Sequence, residues 1–132
     1  MKNNKTGIEN HLHDHQAKAV IFLSCSGASN CGQIANQVAV KLTEEGVGKM
    51  FCIAGLGAHN EGMVQSAKLA DRIVAIDGCS TACSRKVLDH IGLTVTDCIC
   101  VTDMGIEKVH KFTILPEEIT MVMNCVKKLL VT

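Results

Sequence analysis

The sequence predicts an α/β fold, a three-layer sandwich with a four-stranded, mostly parallel sheet of Rossmann/flavodoxin-like type. Three observations predict it: short continuous apolar runs, segments of helical period between them, and a strand–helix alternation repeated four times. Strands covered on both faces read as unbroken apolar runs. Parallel neighbours must be joined by crossovers, and the spacing between runs leaves room for a helix in each.

Taken in order, residues 1–16 are polar and aperiodic and read as a flexible tail, leaving 17–132 as a single α/β domain. His11, His13 and His15, with Asp14 among them, have a spacing that could bind a divalent metal; a solvated tail is the plainer reading. Ala19-Val20-Ile21-Phe22-Leu23 is the first strand, followed by the loop Cys25-Ser26-Gly27-Ala28-Ser29-Asn30, in which Ser29 or Asn30 can cap a helix. That helix carries Ile34, Ala35, Val38, Ala39 and Leu42 on one face, and Gly46 suits its stop. Met50-Phe51-Cys52-Ile53-Ala54 reads as the second strand, ending at Gly55. Met63, Val64, Ala67 and Ala70 then fall at helical spacing. Arg72-Ile73-Val74-Ala75-Ile76 is the third strand and runs into Asp77-Gly78-Cys79. Val87, Leu88 and Ile91 mark a helix stopped by Gly92, and Cys98-Ile99-Cys100-Val101 is the fourth strand. Pro116 suits the first turn of a last helix with Ile119, Val122, Met123, Val126 and Leu130 inward.

Composition narrows the function. Thirteen basic and thirteen acidic residues cancel, so the basic face that a polynucleotide binder needs is not expected, and three Phe without Trp or Tyr leave few stacking platforms. No apolar run reaches the ~18–20 residues that cross a bilayer, and the N-terminus lacks a secretory apolar region. Eight cysteines among 132 residues stay below the ~8–10% of a disulfide scaffold. The expected setting is reducing cytoplasm, with no nucleic acid or membrane partner, where cysteines are buried thiols, metal ligands or redox centres.

In a parallel sheet all strand C-termini lie on one edge, where sites form. Cys25 falls just past the first strand, Cys52 near the end of the second and Cys79 just past the third; Cys83 follows in the first turn of the next helix. Four thiols there suit a soft metal ion, and adjoining helix N-termini favour thiolate. Spacing alone leaves open a shared metal site or inert buried thiols. Cys98 and Cys100 should share one face of a strand as core residues, and Cys125 should pack on the last helix. Cys31 could be a spare ligand, a redox partner of Cys25 or packing filler, with filler the leading reading.

The segments Cys25-Ser-Gly-Ala-Ser-Asn30 with Gly32-Gln33, Phe51-Cys-Ile-Ala-Gly-Leu-Gly57, Ile76-Asp-Gly-Cys79 with Cys83, and Thr102-Asp-Met-Gly-Ile-Glu-Lys108 together resemble the DGC domain family over roughly residues 19–130. The resemblance implies a zinc-binding domain whose four chelating cysteines would be Cys25, Cys52, Cys79 and Cys83, with no established biochemical role. Neither Cys31 nor the histidine tail belongs to its motif. Asp77 is expected to hydrogen-bond backbone and fix the loop presenting Cys79. His59 could replace a thiol ligand, although a solvent-facing loop residue is the simpler fate. Asp103 and Glu107 could approach the same edge.

The leading functional reading is therefore a Zn²⁺-binding protein, with an iron–sulfur cluster as the variant. The alternative is an enzyme using Cys25, either for phosphoryl transfer or for thiol redox work through Cys25/Cys31 or Cys79/Cys83. A phosphatase-type loop needs an Arg to neutralise the transferred group, and Cys25 to Gly32 contains none.

Overall fold

Alternate residues of the first and third strands face opposite ways, and both sets are apolar; this pattern forces helices onto both faces of the sheet. The computed structural model describes residues 19–131, so the tail with His11, His13 and His15 lies outside the described residues. The sheet contains β1 (Val20–Ser24), β2 (Lys49–Met50), β3 (Arg72–Asp77) and β4 (Asp97–Cys100) in the order β2-β1-β3-β4, and every pairing is parallel. That order matches the first four positions of the 2-1-3-4-5 doubly wound sheet, whose switch point lies between β1 and β3.

Helices α1 (Asn30–Glu44) and α5 (Pro116–Leu130) cover one face, where Phe22, Val74 and Ile76 pack with Ile34, Val38, Val122 and Val126. The short α2 (Ile53–Gly57), α3 (Glu61–Lys68) and α4 (Cys83–His90) cover the other, where Ile21, Leu23, Ile73 and Ala75 meet Leu56, Ala67 and Leu88. Ser29 caps α1 by accepting the Gly32 N–H at 3.0 Å, and Pro116 opens α5 as its first helical residue. Gly46 and Gly92 take left-handed φ just beyond α1 and α4, as helix-stopping glycines do. No described helix is long and apolar enough to cross a membrane.

Two expectations need correction. The second strand is only Lys49–Met50, and Ile53–Gly57 is helical, because the Cys52 sulfur accepts the Gly55 N–H at 3.3 Å and caps that turn. Cys98 is exposed and Cys100 only half-buried; neither is a core residue. They do share one face, but β4 is the edge of the sheet, and α4 packs mainly over β3.

Candidate metal centre

Because β1 lies between β2 and β3, three strand ends adjoin at the ~4.8 Å spacing of a sheet. Cys25 follows β1 directly, and its N–H donates to the Ile76 carbonyl of β3 at 2.9 Å. On the other side, the Phe51 N–H donates to the Phe22 carbonyl at 2.9 Å, which carries the β2 line to Cys52. Cys79 stands two residues past β3, and Cys83 is the first residue of α4. The topology thus brings the four cysteines expected from sequence to one edge of the sheet.

The sulfurs differ in surroundings. Cys25 Sγ accepts the Gly27 N–H at 3.2 Å, as Cys52 Sγ does that of Gly55. Cys79 Sγ lies 3.4 Å from the Thr81 hydroxyl and accepts from the Lys108 ammonium at 3.4 Å. The ammonium aimed at the Cys79 sulfur suits a thiolate better than a thiol. Cys25 and Cys79 are half-buried, whereas Cys52 and Cys83 are exposed. Among the described residues, no three His, Cys, Asp or Glu side chains are grouped so as to hold a metal ion. The edge is assembled; a closed coordination sphere is not.

The loop between β3 and α4 is held from both ends. Asp77, buried, accepts the Ser84 N–H at 2.8 Å through Oδ1 and the Arg85 N–H at 3.2 Å through Oδ2, so it caps α4. It does hydrogen-bond backbone, as expected. Gly78 lies against the first turn of α1, where a Cβ would stand 2.7 Å from the Gly32 nitrogen and 2.8 Å from the Cys31 carbonyl carbon. The Ala82 N–H donates to the Cys79 carbonyl at 3.0 Å, closing a turn in which Ala82 takes a left-handed φ of 54°.

Hydrogen bonding from Thr81, by hydroxyl and then by backbone, holds the Cys79 thiol below the ordinary thiol range; Lys108 adds to this and burial opposes it. The helix terminus expected from sequence is not among these causes. In chelator-treated protein, Cys79 alkylation should therefore have its pH midpoint below that of an unperturbed thiol. Thr81→Val should move that midpoint up more than Lys108→Met, as the pH dependence of mass-resolved iodoacetamide labelling would show.

Sequence reasoning missed Lys108 and the residue that places it. Buried Asn30 accepts the Val109 N–H at 2.8 Å and donates to the Glu107 carbonyl at 2.9 Å, pinning the segment that carries Lys108 over the strand ends. Asn30 is legible as a possible cap, a role that Ser29 fills, and both Asn30 and Lys108 stand in segments that carry the resemblance, without a role at Cys79. Asp103 joins Cys79, Cys98, Cys100 and Arg85 around a cleft of about 340 Å³ beside β4, and Glu107 contributes its carbonyl to Asn30. Cys31 is fully buried, its thiol 3.7 Å from the Ile106 carbonyl, and burial pushes its pKa up; it is packing. Cys125 packs half-buried against the α1–α5 core. His59 is exposed, and its ring faces His90 rather than the cysteines.

The model of the DGC domain matches residues 21–126. The anaerobic and virulence modulator AnvM of Pseudomonas aeruginosa is 33% identical over 88 residues, which cover 67% of this chain and 67% of that protein. No solved structure matches.

Proposed function

The chain belongs to the DGC domain family, and from that premise we propose that it is a metal-binding domain holding Zn²⁺ through the thiolates of Cys25, Cys52, Cys79 and Cys83 at the C-terminal edge of the sheet. The observation that carries this reading is the strand order β2-β1-β3, which sets Cys52, Cys25 and Cys79 at adjoining strand ends with Cys83 opening the next helix. The donor chemistry fits a soft or borderline ion: four thiols, of which Cys79 is held toward its charged form by Thr81 and the Lys108 ammonium. Cys52 and Cys83 are exposed and belong to neither core cluster.

Zinc in such a four-thiolate site would supply a closed tetrahedral cross-link with no open position for water, which suits stability, sensing or metal handling rather than hydrolysis. Within that reading Thr81 and Lys108 orient and stabilise the Cys79 thiolate, Asp77 fixes the turn that presents it, and Asn30 holds Lys108 in place. Eight cysteines in 132 residues, below the density of a disulfide scaffold, support a reducing, cytoplasmic setting. The relative's designation as a modulator supports regulatory use of the centre. Against the enzyme alternative, the donors that best stabilise a thiolate gather on Cys79 instead of the Cys25 that a nucleophile loop would use.

Elemental analysis of untagged protein purified without chelator tests the proposal. About one zinc per chain is expected to resist a mild chelator wash, in colourless protein. Cys79→Ser and Cys52→Ser should each remove it, and Cys125→Ser should retain it. Metal-free wild-type protein, or equal loss in Cys125→Ser, would refute the site; iron with a visible chromophore would replace zinc by a cluster.

A further inference from the structure

Away from the cysteines, α2 and α4 bring two exposed imidazoles together. His59 Nε2 and His90 Nε2 lie 3.2 Å apart, with ring centroids at 5.1 Å and an interplanar angle of 88°. His90 ends α4, seven residues after Cys83, which puts it ~10 Å farther along that helix. The two rings therefore form a group separate from the strand-end thiols.

The backbone at His59 is unusual in a way that points to its side chain. His59 N–H donates to the Leu56 carbonyl at 3.0 Å, and Asn60 N–H to the Gly55 carbonyl at 3.0 Å, the paired bonds of a Schellman stop at the end of α2. The residue in that left-handed position is normally glycine, yet here it is His59 at φ 63°. Asn60 then caps α3 by accepting the Met63 N–H at 3.1 Å, so the chain is fixed on both sides of the ring. Leu56 and Leu88 share the buried cluster beneath, which packs α2 against α4.

We propose that His59 and His90 form a second, surface site for a borderline divalent cation of the Zn²⁺ or Ni²⁺ class, bound through both Nε2 atoms. Two nitrogens bound at 2.0–2.1 Å on a tetrahedral ion stand about 3.3 Å apart, close to the separation seen here. Imidazole suits these ions, and the carbonyl end of α4 adds partial negative charge beside His90. In the metal-free chain one ring donates its Nε2 proton to the other. On binding, that ring takes its Nδ1–H tautomer, both Nε2 lone pairs face the ion, and no net proton is released. Water fills the remaining positions, which leaves the site open where the thiolate centre would be closed.

Zn²⁺ titration of the full chain, followed by the imidazole C–H NMR signals, tests this independently of the thiol site. After the chelator-resistant metal is in place, added Zn²⁺ should shift the His59 and His90 signals together. His59→Gly puts the preferred residue at the left-handed position and should keep the thermal melting curve, while weakening the Zn²⁺ response of His90 at least tenfold. His90→Gln should do the same to His59. Unmoved signals at excess Zn²⁺, or a response of either ring that survives loss of its partner, would overturn the proposal. Loss of the tightly held metal in Cys79→Ser, with the histidine response intact, would bear only on the thiolate centre.

Discussion

Gly78→Ala is expected to destabilise the domain by about 3 kcal/mol or more, the upper range for overpacking against atoms that cannot turn aside. The added methyl would sit 2.7 Å from the Gly32 nitrogen, 2.8 Å from the Cys31 carbonyl carbon and 2.9 Å from the Cys31 oxygen, all of them backbone of the first turn of α1. No side-chain rotamer relieves such a clash. Either α1 moves off the sheet, opening the Phe22–Ile34–Val38 core, or the end of β3 moves and carries Cys79 out of reach of Lys108. Urea unfolding should show a lower midpoint with an unchanged m-value. Gly57→Ala is the matched comparison: its Cβ would meet only Val87, at 3.7 Å, so a change within about 1 kcal/mol is expected there.

That contrast shows what the sequence made legible. The continuous apolar runs Ile21-Phe22-Leu23 and Ile73-Val74-Ala75 imply strands covered on both faces, and the structure splits these residues between the two core clusters. Glycines at 46 and 92 and Pro116 marked helix ends through backbone chemistry that is local and therefore readable. Phe51–Ala54 reads as strand because a short apolar run has the same composition in a strand as in a helical turn. What decided it was a sulfur cap from Cys52, a cue weaker than the usual Ser, Thr, Asp or Asn. Period-two spacing puts Cys98 and Cys100 on one face but does not set their burial, since strand order is a tertiary fact and β4 is an edge strand.

The site divides in the same way. Cys25, Cys52 and Cys79 could be brought to one edge because parallel topology alone puts strand ends there. The residues that tune Cys79 could not. Lys108 is 29 residues from Cys79, and the Asn30 that positions its segment is 79 residues from Val109. Nothing in the local spacing of either residue announces these contacts. The His59–His90 contact was hidden for a similar reason: it joins the stop of one helix to the last turn of another, 31 residues apart.

Asp77→Ala is expected to cost about 3 kcal/mol, because it strands two helix-terminal N–H groups at once. Asp77 is buried, as is Ser84, whose N–H it accepts at 2.8 Å; the Arg85 N–H at 3.2 Å is the second. Loss of an N-terminal cap costs typically ~1 kcal/mol, and a buried donor left without an acceptor costs ~1–3 kcal/mol. Ala82, the residue before α4, is held at φ 54° and offers no side-chain oxygen to take over the role. Asp77→Asn keeps one acceptor oxygen and should lose about 1–2 kcal/mol, recovering part of the midpoint in the same urea experiment. The substitution should also loosen the turn from Cys79 to Cys83, so that in chelator-treated protein the mass-resolved labelling of Cys79 loses its low-pH onset while that of Cys25, anchored to β3 through Ile76, is unchanged. Equal stability of Asp77→Ala and wild type would mean that water satisfies both N–H groups and that the carboxylate of the Asp-Gly-Cys segment is not what fixes the loop. A drop in stability with an unaltered Cys79 profile would confine its role to capping α4.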